Sequence, residues 1–328
     1  MREHWPPRRP EEADSSPASP PLVFVGGSGR SGTHVVAALL GHHSRYAGVA
    51  IEARFHANPR GIPDLLAGEV TEDEFVRKLR RFWWHRVAAG EPFPAILPRL
   101  PLGRSLRGLH KVMPRRRFDR AIERFDRRWR RDRETACRRL FLELLWPIAD
   151  HAGKPGLVEM TTATVHQAPT LSRLFPEARF VHAVRDGRDA GSSKVAKRQK
   201  REHPRDVFQG LAWWRERLEQ NEQGIAATPH GRIHHLPLDQ LAAGSDGARE
   251  AAYESLLAFL GVEDEGPMRG YFESEINAAN ANRGRARAGL SAADRRELDR
   301  RYEEILDGIE ARGFASAPLL REAYERLG

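Results

Sequence analysis

A run of glycines and hydroxyl residues near the N-terminus has the composition of an anion-binding loop. Residues 22–25 read Leu-Val-Phe-Val, a short apolar run typical of a buried parallel strand. Four glycines follow between residues 26 and 32, where they let the backbone turn tightly or approach a ligand closely. The apolar run at 35–40 then predicts a helix, whose free N–H groups and positive dipole end face the loop. The stretch therefore predicts an anion site between a strand and a helix.

The loop differs from an ATP- or GTP-binding phosphate loop at one position. That motif has lysine directly after its last glycine, but here Gly32 is followed by Thr33 and His34. A nucleoside-triphosphate enzyme needs the lysine to neutralise the β and γ phosphates. The basic residue of this loop is Arg30, whose guanidinium can bind an oxyanion bidentately without a metal. The loop therefore suits a smaller terminal oxyanion.

An extended stretch after the first helix carries further polar side chains. Residues 48–56 are largely apolar and include Glu52 and Arg54. If this stretch runs parallel to the first strand, both side chains reach the carboxyl edge of the sheet, where open α/β sheets bind ligands. We therefore expect Glu52 and Arg54 near the glycine loop.

Strand and helix patterns alternate along the chain and predict a three-layer α/β fold with a mostly parallel sheet. We see neither an internal repeat nor a clear linker, so a single domain over 21–328 is favoured, with a helical insertion at 70–152 as a lid or acceptor wall. Residues 1–20 are rich in proline and charge and predict a disordered tail. Further strands are expected at 154–159, 178–184 and 232–236.

The composition predicts the cellular compartment of the protein and the class of ligand that it binds. The single cysteine, Cys137, excludes an intrachain disulfide and a cysteine-cluster metal site, so a cytoplasmic location and no metal are expected. No apolar run approaches the ~20 residues of a membrane span. The formal net charge is +9, and residues 104–139 hold fifteen Lys/Arg against five Asp/Glu. This segment could bind nucleic acid or another polyanion, or could be a solvated arginine-rich helix.

Two segments together resemble those of sulfotransferases that use 3′-phosphoadenosine 5′-phosphosulfate (PAPS). Residues 27–34, Gly-Ser-Gly-Arg-Ser-Gly-Thr-His, are similar to the family's 5′-phosphosulfate loop. Residues 171–193 resemble its 3′-phosphate segment, in which an arginine ends a strand and a serine eight residues later begins a helix. Arg185 and Ser193 have this spacing, and Lys197 lies one helical turn further on.

Weaker landmarks follow in the family's order. Residues 238–241 and 256–262 resemble its Tyr-Glu-Asp-Leu and Phe-Leu-Gly segments, and residues 284–291 resemble the basic C-terminal loop of bacterial members. The resemblance thus extends from about residue 22 to residue 310. It implies a P-loop-like sulfotransferase fold and transfer of a sulfuryl group from PAPS to an acceptor hydroxyl.

The closest resemblance is to the tyrosylprotein sulfotransferase branch and related bacterial enzymes, which implies a role for each matched residue. Glu52, twenty-two residues after Arg30, matches the branch's catalytic base with a one-residue insertion. Alternatively, Glu52 is a structural partner of Arg54 or Arg30. Arg30 is expected to stabilise charge on the transferring group, and Arg54 and His56 to contact the acceptor. The implied donor-binding residues are Gly29, Arg30, Ser31, Gly32, Thr33, His34, Arg185, Ser193, Lys197 and Arg285.

The sequence also departs from that branch. Met160 replaces a lysine that stabilises the leaving phosphate, so Arg30, Arg285 or Arg287 is expected to take over that role. Two other functions stay open: a P-loop-type nucleotide or sugar kinase, and binding of a polyanion through 104–139. The identity of the acceptor cannot be inferred from the sequence.

Overall fold

The computed structural model describes residues 19–85, 108–196, 204–281, 284 and 286–327. Its strands form one sheet in the order β2-β3-β1-β4-β5, and every neighbouring pair is parallel. The predicted α/β class with a mostly parallel sheet is therefore confirmed. The strands are β1 (Leu22–Gly27), β2 (Tyr46–Gly48), β3 (Gly156–Glu159), β4 (Arg179–Val184) and β5 (Ile233–Pro237).

Alternation along the central strand explains why helices cover both faces of the sheet. Leu22 and Phe24 of β1 belong to one buried apolar cluster, whereas Val23 and Val25 belong to another. Successive side chains of a strand point to opposite faces, so a strand that is apolar throughout needs a helical layer on each side. The helices are α1 (Thr33–Gly41), α2 (Ile62–Ala67), α3 (Glu72–Lys78), α4 (Arg115–Trp129), α5 (Arg133–Ala152), α6 (Ala168–Leu174), α7 (Gly187–Ala196), α8 (Val207–Ala226), α9 (Leu238–Ala243), α10 (Asp246–Leu260), α11 (Gly266–Glu275), α12 (Ala292–Ala311) and α13 (Ala317–Leu327).

The order of the strands determines which loops meet. Because β1 and β4 are parallel neighbours, with Gly27 opposite Ala183, the loops that follow them leave the same edge side by side. Strand β3 lies on the other side of β1 and pairs Glu159 with Phe24. The loops after β1, β3 and β4 therefore converge at the carboxyl edge of the sheet.

Three boundaries differ from the sequence-based expectation. The second strand ends at Gly48, so Glu52 and Arg54 lie in the irregular segment after it and not on a strand. Helix α7 begins at Gly187, directly after the strand, whereas the Asp-Gly turn signal suggested a start near Ala190. A further helix, α13, follows the one that the sequence suggested was the last.

The helical segment between β2 and β3 packs on the sheet through aromatic side chains. Helix α3 begins with the predicted capping box between Thr71 and Glu74, and Trp83 and Trp84 are buried as expected. Residues 86–107 lie outside the described residues, so the role of 70–152 as a lid or acceptor wall stays a prediction. Residues 1–18 of the predicted tail also lie outside them.

The basic segment is partly structural. In the described part of 104–139, α4 is arginine-rich, and its Arg124 and Arg128 both pair with the buried Glu143 of α5. These two ion pairs tie α4 to the core-covering helix, so part of the local positive charge is neutralised within the chain.

A group of histidines lies inside the sheet. His182 of β4 faces its register partner His235 of β5, with their Nδ1 atoms 3.1 Å apart. His234 stacks on Phe259, with ring centroids 5.2 Å apart. Burial lowers the pKa of His234 to about 4, and the neighbouring His235 acts in the same direction. The folded protein therefore keeps His234 neutral at mildly acidic pH.

His234 should make the fold acid-sensitive. The unfolded residue takes up a proton below about pH 6.5, whereas the folded one does so only near pH 4, so stability falls as the pH drops between these values. We expect His234→Phe, which preserves the stacking, to reduce the loss of unfolding free energy between pH 7 and pH 5 by about 1–2 kcal/mol. Urea unfolding at both pH values measures this. The exposed His230→Phe should leave the loss unchanged, and an equal loss in both variants would contradict the expectation.

Candidate functional site

The loop after β1 has the backbone of an anion cradle. Gly29, Arg30 and Gly32 all adopt left-handed φ values, of 84°, 60° and 84°. Only glycine adopts this conformation without strain, so the arginine between the two glycines is held there by its surroundings. The Gly32 carbonyl accepts the first hydrogen bonds of α1, which directs the helix N-terminus and its unpaired N–H groups toward the loop.

Two hydroxyl residues of the loop are buried. Ser31 has no exposed surface and Thr33 is 3% exposed. The Ser31 hydroxyl makes no hydrogen bond with any described residue. Buried hydroxyls normally have a hydrogen-bond partner, and a bound ligand can supply the partner that the Ser31 hydroxyl lacks. The loop therefore has an unpaired hydroxyl with which to bind an oxyanion.

The two predicted anion segments are joined by direct hydrogen bonds. Arg30 donates from Nε to Ser193 Oγ at 3.0 Å, and Arg185 donates from Nη1 to the Arg30 carbonyl at 3.0 Å. Arg185 also donates from Nη2 to the Ala281 carbonyl at 2.7 Å. The structure therefore brings Arg30, Arg185 and Ser193 together. Lys197 and Arg285 lie outside the described residues, so their roles stay predictions.

Positive charge is concentrated at this junction. Burial lowers the pKa of Arg30, the charge of Arg185 lowers it further, and the charge of Glu52 acts in the opposite direction. Two guanidinium groups that repel one another at a half-buried site favour the binding of an anion between or beside them. The electrostatics therefore agree with the loop geometry.

Glu52 lies beside this junction and is mostly buried. Its residue surface is 8% exposed, and Arg54 donates to its Oε2 atom from both Nε, at 2.7 Å, and Nη2. The other carboxylate oxygen, Oε1, lies 3.6 Å from Nε2 of His34, whose side chain is 56% exposed. The structure thus brings Glu52, His34 and Arg54 together next to Arg30.

His56 does not join this group. It has no exposed surface, stacks against Phe24, and has its Nε2 atom 2.9 Å from the Glu159 carboxylate. Because it is enclosed by the core, the His56 side chain has no surface with which to contact an acceptor. We therefore do not include it in the proposal below.

The buried carboxylate of Glu159 organises the loop edge. It accepts hydrogen bonds from the backbone N–H groups of Ala53 and Thr161 and from the Thr161 hydroxyl. Thr161 in turn accepts from the backbone N–H of Arg54. Burial by itself raises the pKa of Glu159, but the charge of His56 and these hydrogen bonds lower it below its ordinary value. Glu159 therefore fixes the segment that carries Glu52.

Removal of this carboxylate should destabilise the fold. We expect Glu159→Ala to lower the free energy of unfolding by about 3–5 kcal/mol, because His56 and the backbone N–H groups of Ala53 and Thr161 lose a buried partner. Urea denaturation at pH 7 measures the change. The exposed Glu69→Ala should stay within about 0.5 kcal/mol of the parent. A loss below about 1 kcal/mol in Glu159→Ala would show that this network is not structural.

The sequence reasoning missed an acidic network behind the second anion segment. The Asp186 carboxylate binds Arg188, which also contacts Asp299, and the backbone N–H of Asp186 donates to Asp239 at 2.7 Å. Burial raises the pKa of Asp239 to about 6. The Asp-Gly turn at 186–187 was the one local signal, and it did not reveal these distant partners.

A second network holds the C-terminal basic loop. Asp189 of α7 accepts hydrogen bonds from the backbone N–H groups of Gly284, at 3.0 Å, and Ala286, at 3.3 Å. Arg287 pairs with Asp299 at 2.9 Å. The ion pair with Asp299 thus holds Arg287 against α12. Of the residues expected to stabilise the leaving group, Arg30 is the one that the structure describes in the glycine loop.

Trp213 is another residue of this region that the sequence did not single out. A side chain at Gly29 would come within 3.2 Å of its ring, and Lys194 lies 4.9 Å from the ring centroid. The Trp-Trp pair in the sequence did not show which indole lies at the loop and which lies in the core. In the structure Trp214 is buried and Trp213 is half-buried.

A family model described as "Sulfotransferase family" matches residues 21–266, which include both anion loops, Glu52 and Glu159. The chain belongs to the sulfotransferase family. A search of curated proteins gave no match. Within the described ranges no helix is long and apolar enough to cross a membrane, and no group of three or more His, Cys, Asp or Glu side chains could hold a metal ion.

Several solved sulfotransferases resemble the chain. The sulfotransferase domain of the curacin biosynthetic pathway is 14% identical in sequence, with a TM-score of 0.46. The match covers 80% of this chain and 82% of the curacin domain. The domain of the Synechococcus olefin synthase is 13% identical with a TM-score of 0.45, covering 86% and 93%. A sulfotransferase of Mycobacterium tuberculosis is 15% identical with a TM-score of 0.43, covering 83% and 78%.

Proposed function

We propose that this sulfotransferase moves a sulfuryl group from PAPS to an acceptor hydroxyl. The observation that carries the proposal is the junction of Arg30 with Arg185 and Ser193, where two anion segments meet at the ends of adjacent strands. A donor with phosphate groups at both its 5′ and 3′ positions needs two such segments. The membership in the family supports the same donor.

The residues of the cradle fit this donor. The unsatisfied Ser31 hydroxyl and the N-terminus of α1 suit the 5′-phosphosulfate, and Arg185 with Ser193 suits the 3′-phosphate. When bound, PAPS supplies an activated sulfuryl group. A metal is not required, because guanidinium groups and backbone N–H groups can neutralise the charge.

We assign separate roles to Arg30 and Glu52. Arg30 stabilises the charge that develops on the transferring group and on its leaving oxygen, and such preorganised electrostatic stabilisation is a major contribution to catalysis. Glu52 accepts the proton of the acceptor hydroxyl, which makes the oxygen a better nucleophile. Arg54 binds Glu52 and its side chain is 30% exposed, so we assign it the contact with the acceptor.

The other two functions receive less support. A P-loop kinase needs a lysine where this chain has Thr33. A polyanion-binding protein would make use of α4, but it would leave the two joined anion segments without a role. We infer a cytoplasmic location from the single Cys137, which is buried and whose thiol pKa is raised by that burial.

Ligand stabilisation separates the three functions. We expect 3′-phosphoadenosine 5′-phosphate, at about 100 times its dissociation constant, to stabilise the protein by about 2.7 kcal/mol. ATP with Mg²⁺ and an RNA oligonucleotide should stabilise it less. Thermal unfolding of the full chain with each ligand measures the difference. Stabilisation by ATP without stabilisation by the bisphosphate would contradict the proposal.

The adjacent serines 192 and 193 provide a matched pair for testing the second anion segment. Ser193→Ala removes the hydroxyl that accepts from Arg30 and is expected to bind the 3′-phosphate, so its Kd for the bisphosphate should rise about tenfold. Ser192→Ala, also half-buried, should leave the Kd unchanged. Isothermal titration calorimetry measures both values. An equal Kd in the two variants would remove Ser193 from the donor site.

A further inference from the structure

Glu52 is poorly placed to release a proton to water by itself. Its side chain is only 10% exposed, and its Oε2 atom is held by two donors of Arg54. If Glu52 kept the acceptor's proton, the ion pair with Arg54 would be lost, and the nearby charge of Arg30 would also lose its counter-charge. The carboxylate therefore needs a route by which the proton leaves.

His34 lies at the other oxygen of the same carboxylate. Its Nε2 atom is 3.6 Å from Glu52 Oε1, while its side chain is 56% exposed. This distance is longer than a hydrogen bond, but catalytic contacts are commonly long without substrate and shorten in the reacting complex. An imidazole can accept a proton on one nitrogen and release another from its second nitrogen. His34 therefore connects the buried carboxylate to solvent.

We propose that His34 is a proton relay for Glu52, an inference that rests on the proposed sulfuryl transfer. The acceptor O–H bond breaks as the oxygen attacks, and its proton binds Glu52 Oε1. The proton then moves to Nε2 of His34, and the proton on Nδ1 leaves to water. Glu52 is again a carboxylate paired with Arg54, and the imidazole is neutral with its proton on Nε2. Proton exchange between the exposed ring and water then restores the tautomer protonated on Nδ1, so the cycle needs no reactant other than water.

The surrounding charges favour release of the proton from His34. His34 is the second residue of α1, so an imidazolium there meets the positive end of the helix dipole. Among the described residues, Arg54 is bound to Glu52, and Arg30 lies close enough that the charge of Glu52 raises its pKa. These cations and the dipole oppose a lasting positive charge on His34, which therefore passes the proton on and does not store it.

The decisive experiment is the rescue of His34→Ala by imidazole. Turnover is measured as formation of 3′-phosphoadenosine 5′-phosphate from PAPS, with a cellular metabolite extract as the source of acceptors. We expect kcat to fall at least tenfold and added imidazole to restore part of kcat. The Kd for the bisphosphate should stay within twofold, because the donor contact expected at His34 is with its backbone N–H group, which His34→Ala retains. The control is His42→Ala, an exposed histidine at the other end of α1, which should keep its kcat and should not respond to imidazole.

Three results would overturn the relay. They are an unchanged kcat and Kd in His34→Ala, a raised bisphosphate Kd with unchanged kcat, and a lowered kcat that imidazole does not restore. The second result would make His34 a donor-binding residue.

Glu52→Gln separates the relay from the function on which it rests. If this variant binds the bisphosphate but is inactive, Glu52 is confirmed as essential whatever His34 does. If the parent protein forms no bisphosphate from PAPS, the proposed function fails, and the relay fails with it.

Discussion

The geometry of the site depends on one buried carboxylate. Glu159 ends β3 next to the central strand and accepts hydrogen bonds from Ala53 and Thr161, while Nε2 of His56 lies 2.9 Å from its carboxylate. An ionised group with almost no exposed surface is tolerable only when each of its oxygens is paired, so these partners are fixed in position. The segment leading to Glu52 is thereby attached to the sheet, although it forms no strand of its own. The position of Glu52 is thus fixed within irregular backbone.

The second constraint is the meeting of positive charges at the carboxyl edge. Arg30 and Arg185 leave adjacent parallel strands, and the hydrogen bond from Arg185 to the Arg30 carbonyl fixes the loop between them. Their mutual repulsion is offset in part by Glu52 and would be offset further by a bound anion. The network of Asp186, Asp239 and Arg188 supports Arg185 from behind. The repulsion between Arg30 and Arg185 therefore destabilises the unliganded site, and a bound anion would relieve it.

Local patterns predicted most of the elements because the physics behind them is local. The capping box at Thr71 and the left-handed glycine at 261 both appear where the sequence indicates them. The strand before Glu52 was misplaced: β2 ends at Gly48, and the apolar residues Ile51, Ala53 and Phe55 are buried in the core cluster that includes helix α5. Helix α13 follows the helix that the sequence indicated as the last, and its Leu320 and Tyr324 join the apolar cluster that includes residues of α12. The spacing of apolar residues shows that one face of an element is buried, but it does not show which other element packs against that face.

The sequence by itself determined the chemistry that is available: an anion loop with arginine in place of lysine, and a second loop at Arg185 with Ser193 eight residues later. Residue type and spacing suffice for this, because they determine the charge and the backbone freedom of each loop. Only the tertiary structure decided which side chains meet. It placed Ser193 on Arg30, His34 beside Glu52, and His56 in the core with Glu159. These contacts join residues from different strands and loops, so they depend on strand order and burial, which no local pattern contains.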